Sequence, residues 1–295
     1  MDGVESIHDR LGVITDEVSS DIVAALDFAA AKGLKHVEIR TVDGRNVLAL
    51  SNEEADHIRA EAERRGLYVS CIASPVFKCA LDASRQVAEG DRFNQEERSV
   101  HEHFSMLERA MELGERLGTN RIRIFSFWRE GEPIVRFEAE IVRQLTRAAR
   151  LAEARGMLLL LENEPSCNGG FAEEVARLVR AAASPALRVL WDPGNEQYGN
   201  RPCFPDGYAA VRGMLAHVHL KDVQPDAEGK PRAVPIGSGS VPYAKQFRAL
   251  QDDGYTGLFT VETHFVPKGG TAMEGTAMSL DGLFALLDQL HSETR

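Results

Sequence analysis

Four segments in the second half of the chain end apolar runs on residues that bind cations or move protons. They are Leu158-Leu159-Leu160-Leu161-Glu162-Asn163, Val189-Leu190-Trp191-Asp192-Pro193-Gly194-Asn195, His217-Val218-His219-Leu220-Lys221-Asp222 and Phe259-Thr260-Val261-Glu262-Thr263-His264. Three carboxylates drawn together in a desolvated site repel one another unless a cation neutralises them. Three oxygen donors and one imidazole suit a divalent ion, Mn2+ first, then Mg2+ or Co2+; Zn2+ fits less well, because closed zinc sites favour more His and Cys. Glu162, Asp192, His219 and Glu262 are therefore the candidate metal ligands. An isolated Asp or Glu at a strand end is as often a helix cap or an ion-pair partner; the succession of four favours the metal.

A ketone and its neighbouring hydroxyl, held by such an ion, would have the intervening C–H acidified, because the ion stabilises the developing enediolate oxygen. Glu162 and Glu262 are the candidate catalytic pair, one taking a proton and the other returning it, which gives isomerisation or epimerisation. With a leaving group β to the carbanion, the same site would eliminate it, as a dehydratase or lyase.

Neighbouring residues are candidates for substrate binding. His217 and Lys221 share the strand parity of His219, and His264 shares that of Glu262. Arg40 ends an earlier apolar run together with Glu38, with which it could equally pair, and Trp128 follows Phe125-Ser126-Phe127 as a wall for a sugar face or as core. Gly237-Ser238-Gly239-Ser240 has the composition of a phosphate cradle, a weak signal without a helix N-terminus behind it.

The elements that must position these groups are short runs of Val, Ile and Leu alternating with longer amphipathic segments, the pattern of βα units. The expected strands are Leu11–Thr15, His36–Arg40, Tyr68–Ala73, Arg121–Ser126, Leu158–Glu162, Arg188–Asp192, Ala216–Lys221 and Leu258–Thr263. Between them, Phe104, Leu107, Met111, Gly114 and Leu117 lay one stripe along a helix; Ser19, Ser20 and Asp21 offer an N-cap, and Gly33, Gly66, Gly118 and Gly156 helix ends. Eight units in 295 residues predict one domain, 1–295, folded as a single (β/α)8 TIM barrel. An open dinucleotide-binding sheet would need glycines after the first strand, where Thr15, Asp16 and Glu17 stand. Barrel active sites lie at the carboxyl ends of the strands, where all four metal candidates fall. Two long connections, Ser74 to Val100 and Val223 to Ser240, follow strands and are expected to wall or cover that mouth.

The 34 Lys and Arg against 45 Asp and Glu give a formal net charge of -11, which argues against a nucleic-acid partner. No run approaches the length needed to span a bilayer, and the start, MDGVESIHDR, has neither a basic nor an apolar segment of an export signal. Cys71, Cys79, Cys167 and Cys203 show no short pairing, so reduced thiols and a cytoplasmic location are expected.

The chain resembles the sugar phosphate isomerase/epimerase family of xylose isomerase-like barrels. LLLLEN, LWDPGN, HVHLKD, PIGSGSVPY and GYTGLFTVETHF resemble, in order, that family's segments from the fifth strand to the eighth, and VITDEVSSD and GLKHVEIR its opening units. The resemblance implies a metal site of Glu162, Asp192, His219 and Glu262, and a small carbohydrate or polyol substrate. Free-ketose 3-epimerases of the family usually carry a His three residues after the metal Asp, a Glu six after the first metal Glu and an Arg six after the metal His. This chain has Asn195, Asn168 and Pro225 there, so a plain ketose 3-epimerase is not expected. Dehydration or lysis of a keto-sugar, inosose or 3-keto-glycoside is the alternative. Metal-dependent phosphodiester cleavage, as in DNA-repair endonucleases of the superfamily, would call for more His and a basic surface. A non-catalytic barrel that binds metal or polyol is a third reading. Such barrels often associate, and a homo-oligomer is compatible with the sequence.

Overall fold

Alternation of side chains along each strand decides the architecture. The computed structural model describes residues 7–88, 90–131 and 134–293. Strands β1 (Leu11–Ile14), β2 (His36–Ile39), β3 (Tyr68–Ile72), β4 (Arg121–Ile124), β5 (Leu158–Glu162), β6 (Leu187–Trp191), β7 (Leu215–Leu220) and β8 (Leu258–Val261) form a closed barrel. Neighbours pair in parallel, and β1 pairs with both β2 and β8, which closes the sheet and leaves no free edge. The chain thus forms a (β/α)8 barrel, with strand bounds within two residues of those expected.

One parity set of the strands, including Val37, Ile39, Ile122, Ile124, Leu159, Leu161, Val189, Trp191, Val218, Leu220, Phe259 and Val261, joins the main apolar core beneath the helices. The opposite parity faces the barrel axis. There, Cys71, Leu160 and Leu190 form a small apolar cluster of their own, and other places are taken by His36, Glu38, Arg123, His217, His219 and Thr260, all fully buried. A strand with charged residues on its inner face is costly unless those residues meet partners, so the barrel interior is itself a polar assembly.

The helices are α1 (Ile22–Ala31), α2 (Asn52–Glu63), α3 (Val100–Leu117), α4 (Glu138–Ala154), α5 (Ala172–Ala182), α6 (Pro193–Tyr198), α7 (Tyr208–Val211), α8 (Tyr243–Asp252) and α9 (Ala272–Glu293). Asp21 caps α1, and reciprocal Ser51–Glu54 and Ser99–Glu102 bonds open α2 and α3. Gly118 closes α3 at φ 79°, a left-handed turn that favours glycine. No helix among the described residues is long and apolar enough to cross a membrane. The four cysteines are free and buried.

Both long connections stand at the mouth, but neither is a simple loop. The 74–99 segment is laced to the chain beyond β4: Phe125, Phe127 and Trp128 donate their backbone N–H groups to Val76, Phe77 and Cys79 carbonyls. The second connection folds into an antiparallel ribbon, Asp222–Pro225 against Pro231–Val234.

Candidate metal centre

The inward parity of β5 carries Glu162, β6 delivers Asp192 one residue past its end, β7 carries His219, and Glu262 follows β8 directly. The closed barrel turns these ends toward one axis, and one donor atom from each lies within 4.8 Å of the others. All four residues are at most 2% exposed. His219 Nδ1 lies 3.5 Å from Glu162 Oε1 and 3.4 Å from Glu262 Oε2. Asp192 also caps α6, its Oδ1 accepting from the Asn195 N–H, which leaves Oδ2 turned to the centre.

Glu162 Oε2, Asp192 Oδ2 and His219 Nδ1 are buried without a hydrogen-bond partner. Arg123 Nη1 and Lys221 Nζ stand 3.1 and 2.9 Å from the two carboxylate oxygens, though not in hydrogen-bonding geometry. Buried acceptors are seldom left unsatisfied. Three of them, converging with a fourth carboxylate, form a donor set fit for a hard or borderline divalent cation.

The electrostatics describe the same demand for positive charge. Burial would raise the Glu262 carboxyl, but Lys221, His219 and His264 hold it well below the usual carboxylate range. Burial likewise works against the Glu162 carboxylate, and Arg123 and His219 together outweigh it and lower the carboxyl. For Asp192 burial wins over Lys221, helped by the Glu262 and Glu162 charges, and pushes the carboxyl up to about 6. The His219 imidazole, which burial alone would lower, is held well above its ordinary value by Glu38 and by its contacts with Glu162 and Glu262.

The residues expected to bind substrate divide into three groups. Lys221 reaches the centre, donating to Glu262 Oε2 at 2.8 Å. Arg40 and His264 stand on its rim. Arg40 bonds Asp16, Glu17 and Glu262 at 2.9, 2.6 and 2.8 Å, not Glu38. The His264 side chain is 41% exposed, with Nε2 3.5 Å from Glu262 Oε1. His217 and Trp128 are each fully buried. His217 sits deeper in the barrel against Glu38, and the Trp128 indole packs with Phe93, Phe125 and Cys167 and donates to Glu97 Oε2 at 3.0 Å.

The glycine segment is not an open phosphate cradle. Gly237 and Gly239 both donate their N–H groups to Asp222 Oδ2 at 2.9 Å, and Val241 and Val223 donate to Oδ1. The chain's own carboxylate occupies the place an anion would take. Asn195 Nδ2 donates to the Asn163 carbonyl at 2.8 Å and to Glu162 Oε1 at 3.4 Å, and Asn168 Nδ2 donates to the Trp128 carbonyl at 3.0 Å.

Three residues at or beside the centre escaped the sequence reading. Arg123, inward on β4, faces Glu162 and Glu262; the alternation Arg121-Ile122-Arg123-Ile124 carried that signal. Lys78 and Phe93 carried none, because they sit in the long connection: the Phe93 ring lies against Arg40, Arg123 and Lys78, with cation-to-centroid distances of 5.3, 4.9 and 4.4 Å.

Comparison with known proteins bears on this geometry. A family model described as xylose isomerase-like TIM barrel matches residues 26–281. A xylose isomerase-like TIM-barrel protein from Mycobacterium smegmatis, solved in complex with magnesium, is 17% identical with a TM-score of 0.66, over 92% of this chain and 88% of that one. The probable 3-DHS dehydratase of Bacillus anthracis is 17% identical, TM-score 0.65, covering 88% and 92%. The 3-keto-D-glucoside 4-epimerase of E. coli, in its apo form, is 16% identical, TM-score 0.67, covering 94% and 98%. At such identities the likeness to each structure is one of fold.

Proposed function

The chain belongs to the xylose isomerase-like TIM-barrel family, and from that premise we propose that it is a divalent-metal-dependent isomerase or epimerase of a sugar or polyhydroxy ketone. The observation that carries the reading is the convergence of Glu162, Asp192, His219 and Glu262, with three buried donor atoms that have no hydrogen bond. When bound there, Mn2+, or Mg2+ or Co2+ on the same donors, would neutralise the acids and polarise a substrate ketone, so that the adjacent C–H becomes acidic.

The chain's own residues supply the rest. Glu162 and Glu262 reach the centre from different strands, so one can remove a proton from carbon while the other returns it. Arg123 and Lys221 keep both carboxylates in the ionised form a base requires. Lys221, His264 and Arg40 present donors to hydroxyl and carbonyl oxygens. The 74–99 segment, with Phe93 against the cations, keeps bulk water from the centre.

A second reading, elimination of water or an aglycone from a keto-sugar, inosose or 3-keto-glycoside, is favoured by one observation. The Lys221 ammonium lies beside Glu262, where it can hydrogen-bond a departing oxygen and stabilise its charge. One experiment separates the two. The metal-loaded protein is incubated in deuterated water with ketoses, sugar phosphates, inososes and 3-keto-glycosides. Deuterium entering a substrate carbon with recovery of an isomer supports the first reading, loss of water or aglycone supports the second, and no exchange with any class counts against both.

A further inference from the structure

Beneath the metal centre lies a second buried group that the chemistry above does not use: Glu38 and His217, with His219 common to both. Both Glu38 oxygens stand 3.2 Å from His219 Nε2, and Glu38 Oε1 stands 2.7 Å from His217 Nε2. His217 Nε2 is also 2.7 Å from Thr260 Oγ1. His219 thus presents its ring nitrogens to two different sets of partners. Nε2 faces Glu38 and Nδ1 faces Glu162 and Glu262, where it has no hydrogen-bond partner.

An imidazole that donates Nε2–H to a carboxylate keeps its lone pair on Nδ1, and the anion behind it makes that lone pair a stronger donor. Glu38 has little freedom to do otherwise. It is fully buried, and its backbone is paired on one side with Ile14 and on the other with Cys71.

We infer that Glu38, held from below by His217, is the positioning residue that keeps His219 protonated on Nε2 and offers Nδ1 to the cation. The inference rests on the metal reading above. A second ion between Glu38, His217 and His219 is the competing use of the same groups. His217 Nε2 already stands 2.7 Å from both Glu38 Oε1 and Thr260 Oγ1, so an ion there would have to displace both contacts.

The test uses two measurements on the full chain. First, 15N-histidine spectra of the Mg2+-saturated wild type are expected to show His219 with its proton on Nε2; a proton on Nδ1 overturns the inference. Second, Mn2+ titration calorimetry compares the wild type with Glu38→Gln, which keeps the size of the side chain and removes its charge. The dissociation constant is expected to rise by about 10–100-fold, with one ion per wild-type chain. A change of less than about twofold, or two ions per wild-type chain, overturns the inference and leaves the metal centre standing. A wild type that binds no Mn2+ overturns the metal centre and this inference with it. If Glu38→Gln does not fold, the wild-type spectra alone decide.

Discussion

The ammonium of Lys221 donates to Glu262 Oε2 across 2.8 Å, inside the ring of acids assigned to the cation. Burial opposes the charged form of this lysine, yet Asp192 and Glu262 hold it firmly protonated. A fixed positive charge at that distance competes with an incoming dication. Lys221→Met is therefore expected to bind Mn2+ more tightly, by about tenfold, while the metal-free protein loses about 3 kcal/mol through the unpaired carboxylates and turnover falls about 100-fold. Calorimetry, thermal melts and substrate kinetics read the three effects; weaker Mn2+ binding would refute the competition.

Glu162→Gln and Glu262→Gln each remove one proton acceptor and one metal oxygen. Turnover is expected to fall by about 10²–10⁴-fold in each. Deuterium exchange separates their roles: a variant that still washes a label from substrate carbon but forms no isomer has lost the returning acid, not the abstracting base. Equal activity of either variant and the wild type would remove the two-carboxylate scheme.

Chelation tests the same centre without mutation. Dialysis against a strong chelator should abolish turnover, and Mn2+ should restore it. Because the four donors converge only in the folded chain, an ion held there at about 100 times its dissociation constant is expected to stabilise the fold by about 2.7 kcal/mol. A melting temperature indifferent to Mn2+ would show that the cluster does not hold it.

His103 on α3 gives a pH dependence that has nothing to do with the reaction. Its Nδ1 accepts the Phe77 N–H at 2.8 Å, and burial lowers the imidazole to about 4. Between that value and the ordinary 6.5, the unfolded chain takes up a proton that the folded one refuses. Stability is therefore full above pH 6.5 and is lost as pH falls toward about 4, by up to roughly 3 kcal/mol. His103→Asn keeps an acceptor near the place of Nδ1 and removes the titration. Denaturant melts from pH 7 to 4 should show a shallower loss in the variant; parallel profiles would exclude the assignment. His36, lowered to about 3 by its own burial and by His217, titrates in both proteins and cancels in the comparison.

What could be read from the sequence, and what could not, follows from the range of the forces involved. The barrel was legible because an alternation of two along a strand and a stripe along a helix are local consequences of burial. Glu162, Asp192, His219 and Glu262 were legible as a group because each ends an apolar run on its own strand. Parity placed Lys221 and His217 on the inner face but not their depth: Lys221 reaches the mouth and His217 stops four residues lower, against Glu38. Trp128 illustrates the limit. It follows β4 into a stretch clasped by the 74–99 segment, and long-range backbone bonds, invisible to local patterning, set its indole in the core. The glycine segment misled because composition cannot reveal that Asp222, fifteen to seventeen residues earlier, already accepts its amides.

That last arrangement leaves the Gly237 and Gly239 amides already engaged. Asp222 adjoins Lys221, so the carboxylate that gathers the Gly237 and Gly239 amides also moors the backbone from which the ammonium reaches the centre. A phosphorylated sugar would find this berth taken, and its terminal anion would have to look to the rim cations instead. The grip of Asp222 on these amides and the aim of the neighbouring Lys221 thus share one joint, and loosening the first would disturb the second.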